Sequence, residues 1–363
     1  MHASAMPSAN ANTRAAGWRF SRDHDKWARV DAADAEPVGS LGTIRLATFN
    51  CLHDWTLGDV LQHEVRHDAI CQELAALNAD VIGLNEVTRS LLERVLREEW
   101  VRSRYTVSAV PEDARCNHLL SVLPSAGAMG NILLSKIPPS SVNYIDQIGD
   151  GRHSHVMTLC LADPQGGRPL RLAVSSSHLT ACPWLMEGRR KVQLEHITSA
   201  MLESTDIDAC VDTCVDTCVV MGDFNFHREA ENASIPQGWE EVPAIVALGA
   251  TWDFARNRML AHYLPLRNLY NGLGLGASFG WPSPMRLDRV LVHGTGLDCA
   301  AAEARLFADQ PIHERARGQP PLPHAGRELR EAHRALPWQD YLFCSDHFGI
   351  FYELPIARST ERL

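Results

Sequence analysis

The stretch VVMGDFNF, residues 219–226, decides the fold class. An apolar run, Val219-Val220-Met221, breaks at Gly222 and delivers Asp223 and Asn225, two positions apart. An extended chain projects such a pair to the same side. A carboxylate and an amide held together there orient an attacking water and one phosphoryl oxygen, and Gly222 lets the backbone approach closely. Alone, the segment would equally satisfy an Asx turn after a strand. Its meaning rests on its companions.

Those companions share one design. TIRLATFN (43–50) alternates as a strand and ends on Asn50, and DVIGLNEV (80–87) brings Glu86. LAVSSSHL (172–179) carries His178 and RLDRVLV (286–292) carries Asp288. Ser345-Asp346-His347 stands just before the strand-like run FGIFYEL. Each apolar run delivers a carboxylate, amide or imidazole at or near its end, which is how a metal-dependent phosphoester hydrolase is assembled.

The 363 residues suffice for one large or two ordinary domains. A hydrophobic content of 45% with 21% charged residues suits a soluble globular protein with a sizeable core. The net charge of −10 supplies no global basic field, which lowers the expectation of sequence-independent nucleic-acid binding but leaves room for a local basic rim. Residues 1–17 lack the apolar stretch of a secretory signal, and no run approaches the roughly 20 apolar residues of a membrane span. The expectation is an intracellular, soluble protein without an obligate protein partner. Of the ten cysteines most lie in apolar runs, where a free thiol acts as a small hydrophobe. The exception is the duplication CVDTCVDTC (210–218), whose three thiols lack the fourth ligand of a zinc site.

Residues 1–40 are Ala-rich and polar, and are expected to be a loose extension pinned by Trp18, Phe20 and Trp27. From Thr43 the elements alternate. A helix over 59–77 is expected, with Asp59 and Gln62 placed like a capping box, and a second over 89–99. NILLS (131–135) is a strand, and VMTLCL and LRLAVSSS form a hairpin about Gly166-Gly167. A helix over 186–203 should turn Leu194, Ile197 and Met201 inward and Arg189, Arg190 and Lys191 outward. The Pro-rich stretch 309–339 is a long insertion between the last two strands. Hairpins and strand–helix alternation together predict an α/β fold of two mixed β-sheets packed face to face and flanked by helices. The expected limits are an extension to 40, a domain over 41–356 and a tail over 357–363.

The residues constrain the chemistry further. Mg2+ prefers carboxylate and amide oxygens plus water, which Glu86 and Asn50 satisfy. A phosphoryl transition state gathers negative charge, so His178 and His347 are candidates to stabilise it. Asp288 interrupts an apolar alternation and needs a partner if buried, which pairs it with His347. Asp346 should then point elsewhere and join the metal shell.

TFN, NEV, SSHL, GDFN, LDRVLV and SDHFG occur in the order and at roughly the intervals of the endonuclease/exonuclease/phosphatase superfamily, which this chain resembles over about 43–354. The resemblance implies the two-sheet sandwich. It also implies that Asn50 and Glu86 hold Mg2+ (with Mn2+ as a substitute), and that Asp223 and Asn225 activate water and position the phosphate. Asp288 with His347 would be a charge-stabilising pair, and His178 a phosphate contact. Within the superfamily, ALGATWDFARN (247–257) before RLDRVLV and CSDHFG, together with SSHLTACPWLMEGRRKVQLEHI (176–197), resembles the 5′-tyrosyl-DNA phosphodiesterases. That implies Trp252 beside the scissile phosphate, Arg189 or Arg190 on the backbone, and nucleic acid as substrate, hydrolysed at 5′ ends. Where that subfamily carries a basic residue after GDxNx, this chain has His227 followed by Arg228. The alternatives are sphingomyelinase-like or small-molecule phosphoester hydrolysis, a general DNA or RNA nuclease, and an inactive relative serving as a binding module. The complete set of candidate residues argues against the last.

Overall fold

The architecture follows from strands that are apolar on both faces. A computed structural model describes residues 15–31, 41–54, 61–113, 129–148, 151–162, 168–181, 186–203, 215–263, 284–312 and 342–357. In chain order the first elements are β1 (Ala15–Ser21), β2 (Lys26–Asp31), β3 (Thr43–Asn50), α1 (His63–Leu77) and β4 (Val81–Thr88). Then come α2 (Arg89–Arg97), α3 (Glu99–Arg104), β5 (Thr106–Val107), β6 (Met129–Ser135) and β7 (Pro139–Asp146). β8 (His153–Leu161), β9 (Leu170–His178), α4 (Glu187–Glu203), β10 (Thr217–Asp223) and β11 (Glu240–Glu241) follow. The last are α5 (Pro243–Leu248), β12 (Asp288–Gly294), β13 (Glu303–Phe307) and β14 (Gly349–Pro355).

The strands form two mixed sheets, ordered β13-β14-β3-β4-β6-β5-β1-β2 and β11-β12-β10-β9-β8-β7. The pairs β3–β4 and β9–β10 are parallel, and the other named pairings are antiparallel. Successive strand residues face opposite sides, and the cores record this. Ile44, Leu46, Val81, Val219 and Met221 pack between the sheets. Ala47, Phe49, Ile82 and Leu84 face outward under Ile70 and Leu74 of α1 and Leu91, Leu92 and Val95 of α2. Cys218 and Val220 lie under Leu194, Ile197 and Met201 of α4. Each fully buried aliphatic side chain contributes about 1.5–3 kcal/mol, so every central strand is anchored from both sides. No helix among the described residues is long and apolar enough to cross a membrane.

Several expectations are corrected. Part of the segment taken as a loose extension, residues 15–31, is a hairpin. It adds two strands to the first sheet by pairing β1 with β5 (Trp18 opposite Val107), and its Trp18 and Trp27 pack on the core beneath α2. α1 begins at His63. Gln62 caps it in a left-handed conformation without a side-chain bond, and Asp59 lies outside the described residues. The helix expected over 89–99 divides at Glu98, which is extended, into α2 and α3. Cys210, Cys214, the turn at Gly166-Gly167 and residues 313–339 of the insertion also lie outside the described residues.

One buried cation joins the loop after β3 to the segment before β14. Arg66 of α1 is fully buried and donates to four carbonyls: Leu61 at 3.1 Å, Cys51 at 3.0 Å, Leu52 at 3.1 Å and Cys344 at 3.0 Å. Each orphaned buried acceptor costs about 1–3 kcal/mol. Arg66→Met should therefore lower the unfolding free energy by more than about 3 kcal/mol, measured as a shift of the urea midpoint. A loss under about 1 kcal/mol would show that water replaces the guanidinium.

Candidate active site

The inner faces of both sheets end in polar residues at one edge of the sandwich. In β3 the inward parity of Ile44 and Leu46 continues to Asn50, and in β9 that of Leu172 and Val174 continues to His178. In β10 Val219 and Met221 lead to Asp223, and in β12 Val290 and Val292 point back to Asp288. Register aligns them, with Asp223 opposite His178 on one side and Asp288 on the other. β4 needs an irregularity, because parity alone would turn Glu86 away. A register shift between Leu84 and Val87, with Glu86 at φ 56°, brings both Asn85 and Glu86 to the site. Gly222, at φ 142°, has no room for a Cβ, which would lie 1.9 Å from the Ser177 carbonyl oxygen.

Asp223 is the centre of the cluster. Its Oδ2 accepts from Asn50 Nδ2 at 2.9 Å, and its Oδ1 accepts from the Asn225 N–H at 2.8 Å. His178 Nε2 lies 3.5 Å and His347 Nε2 3.8 Å from Asp223 Oδ2. Glu86 Oε1 accepts from Asn50 Nδ2 at 3.1 Å, and its Oε2 accepts from the His53 N–H at 3.0 Å. His347 Nδ1 pairs with Asp288 Oδ2 at 2.8 Å.

Burial separates the protonation states. Burial and the neighbouring Asp288 raise the Asp223 carboxyl to about 7, against the opposing pull of His347. Burial disfavours a charged His347, but Asp288, Asp223 and Asp346 overcome it and hold that imidazole well above its usual range. His178 goes the other way, pushed well below the usual value by burial, Arg152, His347 and His53. Arg152 donates to His178 Nδ1 at 3.0 Å, so the ring proton sits on Nε2, facing Glu86 and Asp223. The edge thus holds one imidazolium and one neutral N–H donor around a carboxylate poised to take a proton.

Among the described residues, two groups of ligand atoms have metal-like spacing: Glu86, His178 and Asp223, and Asp223, Asp288 and His347. The second is an ion pair beside a carboxylate, and in the first the His178 tautomer withholds its lone pair. The oxygens of Glu86 and Asp223 remain, a hard donor set that suits Mg2+ with water completing its shell.

Asn50, Glu86, His178, Asp223, Asn225, Asp288 and His347 therefore converge, but four expectations change. Asn50 Oδ1 accepts from the Leu52 N–H at 3.0 Å, and it is Nδ2 that faces the carboxylates. Asp346 belongs to neither ligand group and accepts from Ser345 Oγ at 3.2 Å. Arg190 is fully buried in an ion pair with Glu231, Nη2 to Oε2 at 2.7 Å, whereas Arg189 is exposed. Trp252, 4% exposed, packs with Leu260, Met285 and Leu287 and offers no free face for stacking. Its neighbour Thr251 carries the TWD element to the site, with Oγ1 accepting from the Asp288 N–H at 3.1 Å. Arg152, Thr251 and Asn85, whose Oδ1 accepts from the Asp223 N–H at 3.0 Å, were not singled out from sequence. Asn85 and Thr251 adjoin residues that were, but nothing near Arg152 in the chain signals its role.

The Endonuclease/Exonuclease/phosphatase family matches residues 47–347. No curated protein matches the chain in sequence. Among solved structures, TDP2 from C. elegans superposes with TM-score 0.54 at 16% identity, covering 89% of this chain and 78% of that one. D. rerio TDP2 complexed with single strand DNA product gives 0.51 at 16% identity, covering 86% and 99%. The human Nocturnin catalytic domain with bound sulfate anion gives 0.50 at 16%, covering 90% and 98%. With the sandwich, the convergent strand ends and a family match over most of its length, the chain belongs to the endonuclease/exonuclease/phosphatase family of phosphoester hydrolases.

Proposed function

We propose that the chain is a Mg2+-dependent phosphodiesterase acting at nucleic-acid 5′ ends. The observation that carries the chemistry is Asp223, a carboxylate raised to about 7 between a neutral and a charged imidazole and beside Glu86. Glu86, with Asp223 beside it, would hold Mg2+, which would supply positive charge to the reacting phosphoryl group. His178 Nε2–H and the His347 imidazolium face the space where the transition state gathers charge, and the Asp288 carboxylate keeps His347 protonated and oriented. Asp223 takes the proton of the attacking water. Asn50 keeps the Glu86 and Asp223 carboxylates together against their repulsion. Support for the substrate comes from the 5′-tyrosyl-DNA phosphodiesterase motifs, from likeness to a TDP2 holding a single strand DNA product, and from exposed Arg189 on α4.

The metal assignment predicts that hydrolysis stops in excess EDTA and returns with Mg2+ or Mn2+, and that Glu86→Gln removes nearly all activity with Mg2+ present. Undiminished turnover in EDTA would refute it.

Asp288 and His347 act as a unit. The Asp288→Ala, His347→Ala double variant should therefore lose little more kcat than His347→Ala alone. Additive losses would assign Asp288 a separate, structural part.

For the substrate, a 5′-terminal phosphodiester should be cleaved faster than an internal bond and faster than sphingomyelin. Arg189→Glu should weaken nucleic-acid binding and reduce its salt slope by about 1. Faster cleavage of sphingomyelin would overturn the substrate assignment and leave the metal chemistry standing.

A further inference from the structure

The hairpin of β1 and β2 precedes the family match, which begins at residue 47, so what it builds is an addition of this chain. Against α2, α3 and the turn at Pro111 and Glu112 it forms a cavity of about 570 Å3. Small-molecule sites occupy roughly 300–1,000 Å3. The cavity starts near the reaction centre. Its lining residue Arg89 follows Glu86 by three positions, so their Cα atoms lie within about 11 Å. From Arg89 to Arg97 the lining runs along α2 for about 12 Å.

An aromatic wall and charges of both signs meet there. Trp27 packs partly on the core, and Phe20 meets it edge to face with ring centroids 5.6 Å apart. The Arg102 guanidinium lies over the Phe20 ring at 4.4 Å, and its Nε donates to the Leu96 carbonyl at 3.0 Å. These contacts fix a cation beside the aromatic pair. Lys26 adds an exposed cation, and Asp25 and Glu112 add two exposed acids. Glu93 is already engaged by Arg89 at 3.0 Å and lies 4.0 Å from Arg97. Among the described residues, Asp25, Lys26, Arg102 and Glu112 enter no ion pair.

That combination selects its ligand. A simple anion leaves Asp25 and Glu112 unmet, and a simple cation is opposed by Lys26 and Arg102. A nucleotide answers every group. Its phosphate takes Lys26 and Arg102, its base stacks on Trp27, and the carboxylates accept from base amino or sugar hydroxyl groups. We propose that this cavity is a nucleotide-binding site separate from the reaction centre, with Trp27 carrying the base. A free mononucleotide and one unit of a strand share this chemistry. A strand held at Glu86 reaches the cavity within about seven stacked nucleotides. The assignment goes beyond hydrolysis and holds whether or not the chain cleaves nucleic acid.

The test is calorimetry of the full chain in EDTA, which stops metal-dependent turnover, with adenosine 5′-monophosphate as the probe. The wild type should bind it, and Lys26→Glu and Trp27→Ala should each weaken binding about tenfold, the worth of one charge-assisted hydrogen bond or one stacked base. Lys26 is exposed, so its variant carries the test even where Trp27→Ala loosens the hairpin. Adenosine and ribose 5-phosphate, each lacking one half of the ligand, should bind about tenfold more weakly. The proposal is overturned by absence of binding to the wild type, or by ribose 5-phosphate binding as tightly as the nucleotide. Binding that is lost in Glu86→Gln but kept in Lys26→Glu would overturn it too, by placing the nucleotide at the reaction centre. A ten-nucleotide deoxyadenylate strand then separates the sources. Weaker binding of the strand by Lys26→Glu makes the cavity part of its path, and equal binding by both proteins assigns the cavity to the free nucleotide. Failure of every hydrolysis assay would remove the phosphodiesterase reading and leave this result standing.

Discussion

The arrangement depends on one buried carboxylate. Asp223 stands where the two sheets meet, taking a hydrogen bond from Asn50 of the first sheet while it ends the central strand of the second. A carboxylate removed from water is unstable unless its oxygens are met. Asn50, the Asn225 backbone and two nearby imidazoles meet them without neutralising it. The residual instability is useful, because it lifts the carboxyl toward neutral pH, where a base works best.

The two histidines acquire opposite roles from their partners. His347 faces three acids and stays charged. His178 faces Arg152 across its Nδ1 and stays neutral, with its remaining proton directed inward. Environments that push like groups apart are a general means of assigning acid and base work. Here they also separate the carboxylate side, at Glu86, from the cationic side, at His347.

Residues remote from the chemistry fix these positions. Arg66 gathers carbonyls from the loop after β3 and from the segment that delivers His347. Thr251 holds the Asp288 backbone, and Asn85 holds that of Asp223 while donating to Asn131 Oδ1 at 2.8 Å. Gly222 permits the close approach of β9 and β10 that keeps His178 beside Asp223. Rigid strands with paired backbones hold reacting groups more closely than loops would.

Strand periodicity and the polar residue ending each apolar run made the two-sheet fold and seven convergent residues legible without coordinates. Alternation is a local property, and parity along a strand follows from it. Orientation at the level of single atoms is not local. The Asn50 amide could face the site with oxygen or nitrogen, and a backbone bond to Leu52 decides. Arg190 and Arg189 look alike in sequence, yet helix packing buries the first against Glu231, forty-one residues on, and exposes the second. Trp252 was expected in the groove because aromatic residues serve both cores and stacking platforms, and only packing against Met285 and Leu287 distinguishes the two. The bulge at Glu86, the hairpin at residues 15–31 and the His178 tautomer are likewise set by partners distant in the chain. Sequence determined which chemical groups reach the edge of the sandwich. Tertiary contacts decided which atom each presents and which proton it keeps, because those depend on burial and on partners far away along the chain.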